Sequence, residues 1–281
     1  MSAKKIGKYQ IIAPLGKGAN STIFHIRREE DNREYALKMI PIEDADDAKY
    51  IEQAKHEYKV AQMLSHPNLI KIYSLEFRKS LFIKIKKVEL LIEYLNAKPL
   101  DTTIVPLGQL GAIFAQVAAG LVHMHRRGVF HADLKPGNIL YGKRGEVKII
   151  DYGLSWIKGE TKDRIQGTPE YMAPETAAEK TINETTDIYN FGATMYRLTT
   201  HELPPLSLSS DPNMILSAKT FHTMLKPVQE LNKAVPKSLC DLIHACLKFK
   251  PEKRPQRMVD VFEELKKIAD EMGTPIYETE E

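Results

Sequence analysis

The sequence contains little cysteine and tryptophan, with two cysteines and one tryptophan among 281 residues. Cys240 and Cys246 are six positions apart on an expected helix and so point to different faces, which argues against a disulfide or a metal clip between them. An excess of charge of one sign is also missing, because 40 basic and 37 acidic residues leave a formal net charge of +3. This balance excludes the strongly basic class of protein, so we expect no nucleic-acid partner.

Long apolar runs are scarce as well. We expect no membrane span, because no run approaches the roughly 18 apolar residues that a span needs. The opening residues MSAKKIGKYQ do not have the apolar core of a signal peptide, so we expect a cytoplasmic protein in a reducing compartment. A hydrophobic fraction of 43% and a charged fraction of 27% are typical of an ordinary globular chain.

The two parts of the chain have different patterns. Short β-type runs and one helix occupy residues 1–95, whereas residues 96–281 show apolar positions at the three- and four-residue spacing of helices. The sequence therefore predicts an α+β fold, with a β-rich N-terminal lobe and a mainly α-helical C-terminal lobe. Predicted strands cover 9–16, 21–27, 34–41, 69–77, 87–94, 139–141 and 147–150, and predicted helices cover 46–65, 107–127, 184–200, 238–248 and 257–272.

The stretch HADLKPGN, residues 131–138, followed by DYG at 151–153, is the most informative motif. Its polar groups suit the transfer of a metal-bound phosphoryl group. Asp133 can accept a proton from an attacking hydroxyl, Lys135 can neutralise phosphate charge, and Asn138 and Asp151 offer oxygen ligands to Mg²⁺. The alternative is a polar turn between two strands, since Asp, Asn, Gly and Pro all favour turns.

A second motif, GKGANSTI at 16–23, lies between two predicted strands. Gly16 and Gly18 would allow backbone N–H groups to approach a polyphosphate, although ordinary hairpins also use glycine. The turn connects strand to strand, so it is not a dinucleotide-binding turn, and the GxxxxGK[ST] phosphate loop is absent. Lys38 either snorkels from a sheet edge or grips phosphate oxygens while paired with Glu57 on the next helix.

In their order along the chain, these motifs resemble the eukaryotic-type serine/threonine protein kinase family, from about Tyr9 to Met272. Ser21 replaces the usual third glycine of the glycine-rich loop. HADLKPGN resembles the catalytic loop, and Ala173-Pro174-Glu175 resembles the end of the activation segment. Asp187 resembles the aspartate that braces the catalytic loop, and Arg254 the arginine that pairs with Glu175.

The resemblance implies a bilobal kinase fold with a five-stranded sheet and one major helix in the N-terminal lobe, and ATP with Mg²⁺, or Mn²⁺ in its place, as cofactors. It further implies that Lys38 and Glu57 position the nucleotide phosphates and that Thr168 bridges Asp133 and Lys135. Asn138 and Asp151 are the implied metal ligands. The implied nucleotide-binding residues are Leu15, Gly16, Gly18, Ser21, Ile23, Ala36, Lys38, Ile92, Glu93, Leu95, Leu140, Ile150 and Asp151.

One departure from the family pattern concerns regulation. Ala132 stands where the family usually has an arginine that binds a phosphate on the activation loop. The segment between DYG and GTPE is also sparse in hydroxyls, with Ser155 and Thr161. We therefore expect an activity that does not depend on activation-loop phosphorylation.

The function expected from the resemblance is transfer of the γ-phosphoryl group of Mg-ATP to serine or threonine hydroxyls of protein substrates. One alternative is a pseudokinase scaffold, although such proteins usually lose the strand lysine, the catalytic aspartate or the metal-binding aspartate, and all three are present here. Another is a small-molecule kinase of the aminoglycoside or choline type, against which the GTPE and APE motifs argue.

Overall fold

The computed structural model describes residues 5–18, 20–44, 46–80, 84–160, 166–206 and 217–274. The chain divides into two compact units, Met1–Ser65 with Ile70–Asn96, and His66–Leu69 with Ala97–Glu281. The sequence suggested a single boundary after residue 95. The short segment His66–Leu69 belongs to the second unit because Leu69 forms a parallel bridge with Ile149, whose N–H donates to Asn68 O at 2.8 Å.

The first unit is an antiparallel sheet with one long helix. Over the described ranges the sheet has six strands in the order β1-β2-β3-β4-β6-β5, which corrects the expected five. The additional strand is a two-residue edge strand that pairs Lys5 with Gln10 and is too short to give a periodic signal. The strands are β1 (Lys5–Ile6), β2 (Tyr9–Gly18), β3 (Ser21–Arg28), β4 (Glu34–Pro41), β5 (Ile72–Lys79) and β6 (Ile85–Glu93).

The helix of this unit, α1, runs from Ala48 to Gln62 and contacts β5 and β6. It ends at Gln62, four positions before His66 and earlier than the predicted end at residue 65, and it cannot continue through His66 because the residue before a proline disfavours helical backbone. A core cluster lies within the sheet and is formed by alternate apolar side chains of the strands, as the period of two requires. Its buried members are Tyr9, Ile26, Tyr35, Leu37 and Leu91.

The second unit is mainly helical. Together with the first unit, it confirms the predicted α+β class. Two small sheets accompany the helices, one in the order β10-β9-β7 and one that pairs β8 with β11. The elements are β7 (Ala97–Pro99), α2 (Leu107–Arg126), β8 (Val129–Phe130), β9 (Ile139–Gly142), β10 (Val147–Ile149), β11 (Trp156–Ile157), α3 (Pro174–Glu179), α4 (Glu184–Thr200), α5 (Ala218–Met224), α6 (Val228–Leu231), α7 (Lys237–Cys246) and α8 (Met258–Glu271).

Helix α2 is the one described helix that is long and apolar enough, by length and composition, to cross a membrane. The expectation that no stretch comes near this limit was therefore too strong. Two-thirds of the apolar window is buried inside the protein, as in the core helix of a globular domain. Gly111 allows this burial, because a Cβ there would lie 3.0 Å from Ala269 Cα on α8.

Helix α4 begins at a strong sequence signal. The Asn183 side chain accepts the N–H groups of Thr185 and Thr186, and the Thr186 hydroxyl accepts the Asn183 N–H at 3.2 Å. This reciprocal capping box satisfies backbone donors that a helix start leaves unpaired. The observed bounds, Glu184–Thr200, are those predicted.

Candidate active site

The loop His131–Asn138 is held in shape by its own side chains. Ala132 has a left-handed backbone with a φ of 64°, a conformation that non-glycine residues adopt at a cost. Asp133 N–H donates to His131 Nδ1 at 3.3 Å, and Asn138 Nδ2 donates to Asp133 O at 2.9 Å. A short 3-10 turn at Pro136–Asn138 completes the loop. The order of residues thus fixes where the Asp133 carboxylate lies.

Asp133, Lys135, Asn138 and Thr168 come together. Thr168 N–H donates to Asp133 Oδ1 at 2.7 Å, and Lys135 Nζ donates to Thr168 Oγ1 at 2.6 Å. The Lys135 ammonium is 3.2 Å from Asp133 Oδ2, and Asn138 Nδ2 is 3.4 Å from the same oxygen. Thr168 therefore connects the Asp133 carboxylate to the Lys135 ammonium, although it lies 35 residues further along the chain than Asp133.

Asp151 lies in a loop that is tied to the same region. Its backbone is left-handed, with a φ of 67°, and its Oδ1 accepts the Gly153 N–H at 3.3 Å. The preceding residue, Ile150, donates its N–H to Asn138 O at 2.9 Å. The carbonyl oxygen of Ile150 lies 3.2 Å from His131 Nε2. These bonds on both sides of Ile150 fix the Asp151 loop relative to the loop that carries Asp133 and Asn138.

In the first unit, Lys38 and Glu57 form a largely buried ion pair. Lys38 Nζ donates to Glu57 Oε1 at 3.1 Å and to Oε2 at 2.8 Å. The Glu57 side chain is 4% exposed and the Lys38 side chain 18% exposed. Because α1 packs against β5 and β6 of the sheet that contains β4, the ammonium is fixed as a point charge rather than left to snorkel.

Several predicted nucleotide-binding residues of the first unit share one face of the sheet. Cross-strand register pairs Gly16 with Ile23, Ile23 with Lys38, and Ala36 with Ile92. Paired residues of antiparallel strands project to the same side, as do positions i and i+2 of one strand. The face next to the Lys38 ammonium is therefore formed by small and apolar side chains.

The glycines of the glycine-rich motif, Gly16 and Gly18, lie at the end of the strand β2 and pair with Ile23 and Ser21 of β3. A Cβ at Gly18 would lie 2.7 Å from the Ser21 hydroxyl oxygen, so the serine occupies the space that glycine leaves. Leu15, another of the predicted nucleotide-binding residues, is 48% exposed. Ala19, at the tip of the predicted loop, lies outside the described residues.

The other predicted nucleotide-binding residues fall into both units. In the first unit, Glu93 N–H donates to Lys71 O at 2.9 Å, and half-buried Leu95 follows the end of β6. In the second unit, half-buried Leu140 lies on β9 and half-buried Ile150 directly follows β10.

Asp187, on the first turn of α4, holds the start of the loop His131–Asn138. Its Oδ2 accepts the His131 N–H at 2.8 Å and its Oδ1 accepts the Ala132 N–H at 2.8 Å. The sequence did not assign a role to His125, yet its Nε2 is 2.8 Å from Asp187 Oδ2 and its Nδ1 is 3.2 Å from Glu184 Oε1. An available signal was the sequence position of His125 at the end of a helix, three residues before the turn glycine Gly128.

These charges act on one another's protonation. Burial alone would lower the pKa of His125, but the hydrogen bond to Asp187 and the ion pair with Glu184 raise it to about 9. Burial by itself would raise the pKa of Asp187. The hydrogen bond from His125 and the charge of its ring have the larger effect, so the pKa of Asp187 is below its usual value. His125 is therefore a cation, and Asp187 an anion, at neutral pH.

The segment after DYG is anchored by apolar contacts. Phe130, Ala132 and Ile182 form a buried cluster against which Trp156 packs. The rings of Trp156 and Phe130 are stacked with centroids 5.6 Å apart, and Trp156 Nε1 donates to Glu160 O at 2.9 Å. The methyl group of Ala132 thus faces an apolar cluster at the position where the family pattern has an arginine.

The end of this segment is fixed by a buried ion pair. Arg254 donates to both carboxylate oxygens of Glu175, at 2.7 and 2.8 Å, and its guanidinium lies 4.8 Å from the centroid of the Tyr189 ring. This contact is the one that the resemblance implied for these two residues.

Comparison with known proteins agrees with these motifs. The model of the protein kinase domain family matches residues 9–267. A probable serine/threonine-protein kinase of Clostridium acetobutylicum is 26% identical over 270 residues, covering 93% of this chain and 40% of the relative. The serine/threonine-protein kinase PrkC of Bacillus subtilis is 24% identical over 273 residues, covering 94% and 41%.

A plant relative, the CBL-interacting serine/threonine-protein kinase 8 of Arabidopsis thaliana, is 29% identical over 213 residues, covering 73% of this chain and 46% of the relative. The chain thus spans less than half the length of these relatives. The family model nevertheless covers nearly all of the sequence, including every predicted site residue. The chain belongs to the protein kinase domain family.

Proposed function

We propose that this chain is a serine/threonine protein kinase that transfers the γ-phosphoryl group of ATP to serine or threonine hydroxyls of protein substrates. The observation that carries the proposal is the group formed by Asp133, Lys135 and Thr168, with contacts of 2.6 to 3.2 Å. An acid and a cation held by one hydroxyl residue suit a reaction that depends mainly on positioning and charge.

In this mechanism, an Asp133 carboxylate oxygen orients the acceptor hydroxyl and accepts its proton. Lys135 offsets negative charge at the transferred group, and its bond to Thr168 keeps it beside Asp133. Lys38, clamped by Glu57, binds phosphate oxygens as a fixed cation. The face of Ile23, Ala36 and Ile92 supplies apolar contacts for the nucleotide base.

The donor set fits a divalent cation such as Mg²⁺. The Asn138 amide nitrogen donates to Asp133 O, so the amide oxygen is the atom that would bind a metal. Asp151 is exposed, so its carboxylate is accessible to a metal ion. Both are hard oxygen ligands of the kind Mg²⁺ prefers. The described residues contain no group of three His, Cys, Asp or Glu that could hold a metal alone. When bound, Mg²⁺ would neutralise phosphate charge.

We further propose that activity does not require phosphorylation of the activation segment. The apolar cluster around Ala132 supports this, because it anchors the segment without a phosphate. The Ser155 hydroxyl is buried and lies 3.5 Å from His131 O, and Thr161 lies outside the described residues. Ser155→Ala/Thr161→Ala protein is expected to retain most of its turnover, and near-complete loss would refute this part.

A cytoplasmic location is also a proposal. Cys240 and Cys246 are buried free thiols, and burial raises the pKa of Cys246 to about 12, which agrees with a reducing compartment. Cell fractionation of the tagged chain tests it.

The test of the activity is a transfer assay with radiolabelled ATP and a generic basic protein, followed by phosphoamino-acid analysis. We expect label on phosphoserine or phosphothreonine. Asp133→Asn should lower the rate by orders of magnitude, whereas Asp241→Asn, at an exposed ion pair on α7, should not. No label in the protein would favour a pseudokinase scaffold, and label on small molecules alone would favour the small-molecule kinase.

A further inference from the structure

His25, on β3, lies on the same face of the sheet as the proposed nucleotide-binding side chains of the first unit. In the cross-strand register it pairs with Ala36, which in turn pairs with Ile92, and it follows Ile23 by two positions. Paired residues and positions i and i+2 project to the same side. The His25 side chain is 11% exposed, so a polar ring is buried next to this otherwise apolar face.

The His25 ring is stacked on the ring of Tyr94, with centroids 3.7 Å apart and ring planes inclined by 12°. Tyr94 follows β6, which ends at Glu93, and precedes β7, which begins at Ala97. Residues 94–96 therefore lie outside both strands. The stack attaches this short connection to β3, three strands into the sheet.

Glu34, on β4, fixes the orientation of the His25 ring. Its Oε2 is 2.9 Å from His25 Nε2, and its Oε1 accepts a hydrogen bond from Arg27 Nη2 at 2.9 Å. The bonds from Arg27 and His25 hold the pKa of Glu34 below its usual value, so the carboxylate is an anion that only accepts hydrogen bonds. His25 Nε2 must then carry a proton and donate it, which limits rotation of the imidazole ring against Tyr94.

We infer that His25 is a positioning residue for the nucleotide, because its ring holds Tyr94 and with it the backbone on either side. Glu93 and Leu95, the two neighbours of Tyr94, are both among the predicted nucleotide-binding residues. Glu93 is also held by Lys71, since it donates its N–H to Lys71 O at 2.9 Å and its Oε2 accepts the Lys71 N–H at 3.2 Å. The stack extends this fixation past the end of β6 to Leu95.

The consequence concerns binding rather than the chemical step. A loose connection would have to be ordered whenever a nucleotide binds, and this cost would weaken binding. The proposed reacting groups, Asp133 and Lys135, belong to a different loop, so kcat should be spared. The inference rests on the proposed kinase function for these kinetic consequences, but not for its structural ones.

Four variants separate the stack from its surroundings. His25→Leu removes the ring and the bond to Glu34, His25→Phe keeps a ring that can stack but removes that bond, and Tyr94→Leu removes the other ring. Arg27→Leu, two positions further along β3, removes the second partner of Glu34 and leaves the stack, so it is the matched control. The Arg27 and Glu34 side chains are 43% and 39% exposed, and exposed ion pairs contribute little to stability.

The measurements are kcat, KM for ATP and the Kd of a non-hydrolysable ATP analogue. In His25→Leu and in Tyr94→Leu we expect KM and Kd to rise about three- to tenfold, the range that the energy of one aromatic pair gives, with kcat within about twofold. The double variant should lie within about twofold of either single variant, because both changes remove the same contact. A loss of folded protein alone would lower kcat and leave KM unchanged.

His25→Phe and Arg27→Leu should both stay within about twofold of wild type in KM, since each keeps the stack. A rise in either that equals the rise in His25→Leu would overturn the inference, because the bonds of Glu34 and not the ring contact would then be the cause.

A further measurement does not use activity. Hydrogen exchange of the backbone amides of Tyr94 and Leu95 should be at least about fivefold faster in His25→Leu than in Arg27→Leu, because the connection loses its attachment to β3. Unchanged exchange together with unchanged KM in His25→Leu would overturn the inference while leaving the kinase intact. Faster exchange in His25→Leu, with no transferase activity in the wild-type protein, would refute the proposed function and support the attachment of this connection by His25.

Discussion

The ion pair between Arg254 and Glu175 should be among the most costly interactions to break in the second unit. The Arg254 side chain is 0% exposed and that of Glu175 is 5% exposed. All five guanidinium N–H donors are used. Two reach Glu175, and the others reach the carbonyl oxygens of Lys248, Thr185 and Phe249, at 2.7 to 2.9 Å.

Arg254→Met would leave the Glu175 carboxylate buried with one hydrogen bond from the Thr186 hydroxyl, at 3.2 Å. Removing one partner of a buried pair typically costs about 3–5 kcal/mol, a large part of a stability of about 5–15 kcal/mol. Glu175→Gln in the same protein removes the stranded charge. The double variant should therefore be more stable than the sum of the single losses predicts, by roughly 1–3 kcal/mol.

The assay is urea unfolding at pH 7, followed by far-ultraviolet circular dichroism, with the free energy of unfolding extrapolated to zero denaturant. Arg257→Met is the control, because Arg257 forms an exposed ion pair with Asp260, at 67% and 49% exposure, and such pairs contribute about 0–1 kcal/mol. If Arg254→Met costs no more than this control, or if the cycle is additive, the reasoning is wrong.

Three other expectations concern stability. Raising the pH from 6.5 through about 9 should lower the free energy of unfolding by about 3 kcal/mol, because the folded pKa of His125 is raised and its stabilisation is lost as the proton leaves. Gly192→Ala should cost about 1–3 kcal/mol, since a Cβ there would lie 2.7 Å from Cys246 Cβ. Asn183→Ala should cost about 1 kcal/mol by removing the cap of α4.

Urea unfolding measures all three, the first as a pH series from 6 to 10. A flat series would contradict the charge assignment of His125, for which His125→Gln is the reference. Gly108→Ala is the control for Gly192, because the nearest atom to a Cβ at Gly108 is Met272 O at 3.8 Å, and equal costs would contradict the packing argument. For the cap, Asn183→Asp should restore stability, and no difference between Asp and Ala would exclude the capping bonds.

The sequence predicted best the elements that carry their own local signals. The predicted bounds of α4 match those observed, and its start coincides with a local signal, the cap formed by Asn183 and Thr186. The bounds of β4 also match, because Gly/Asn and Asp-Asn turns separate the strands of this part of the chain. The short strands β8 and β11 were not predicted. Each has two residues, and their pairing depends on the stacking of Trp156 on Phe130, a contact between distant positions that no local pattern encodes.

In the candidate site, too, residues that belong to a local motif were predicted, and a residue that depends on a distant partner was missed. The order of motifs identified Asp133, Lys135 and Thr168, whose contacts are specific to the family pattern. His125 was missed because its importance depends on Asp187, 62 residues away. The pairing of a buried imidazole with a buried carboxylate becomes visible when the helices are packed, since periodicity assigns a residue to a face but does not name its partner.

The single tryptophan of the protein lies in the anchored segment after DYG, stacked on an aromatic ring and half-buried. Intrinsic fluorescence excited at the indole band therefore originates from one known location, without labelling. Release of the segment from its apolar seat would expose the indole to water and shift its emission to the red. Wild-type protein thus carries a built-in optical probe for the state of this segment during nucleotide binding, pH change or partner addition.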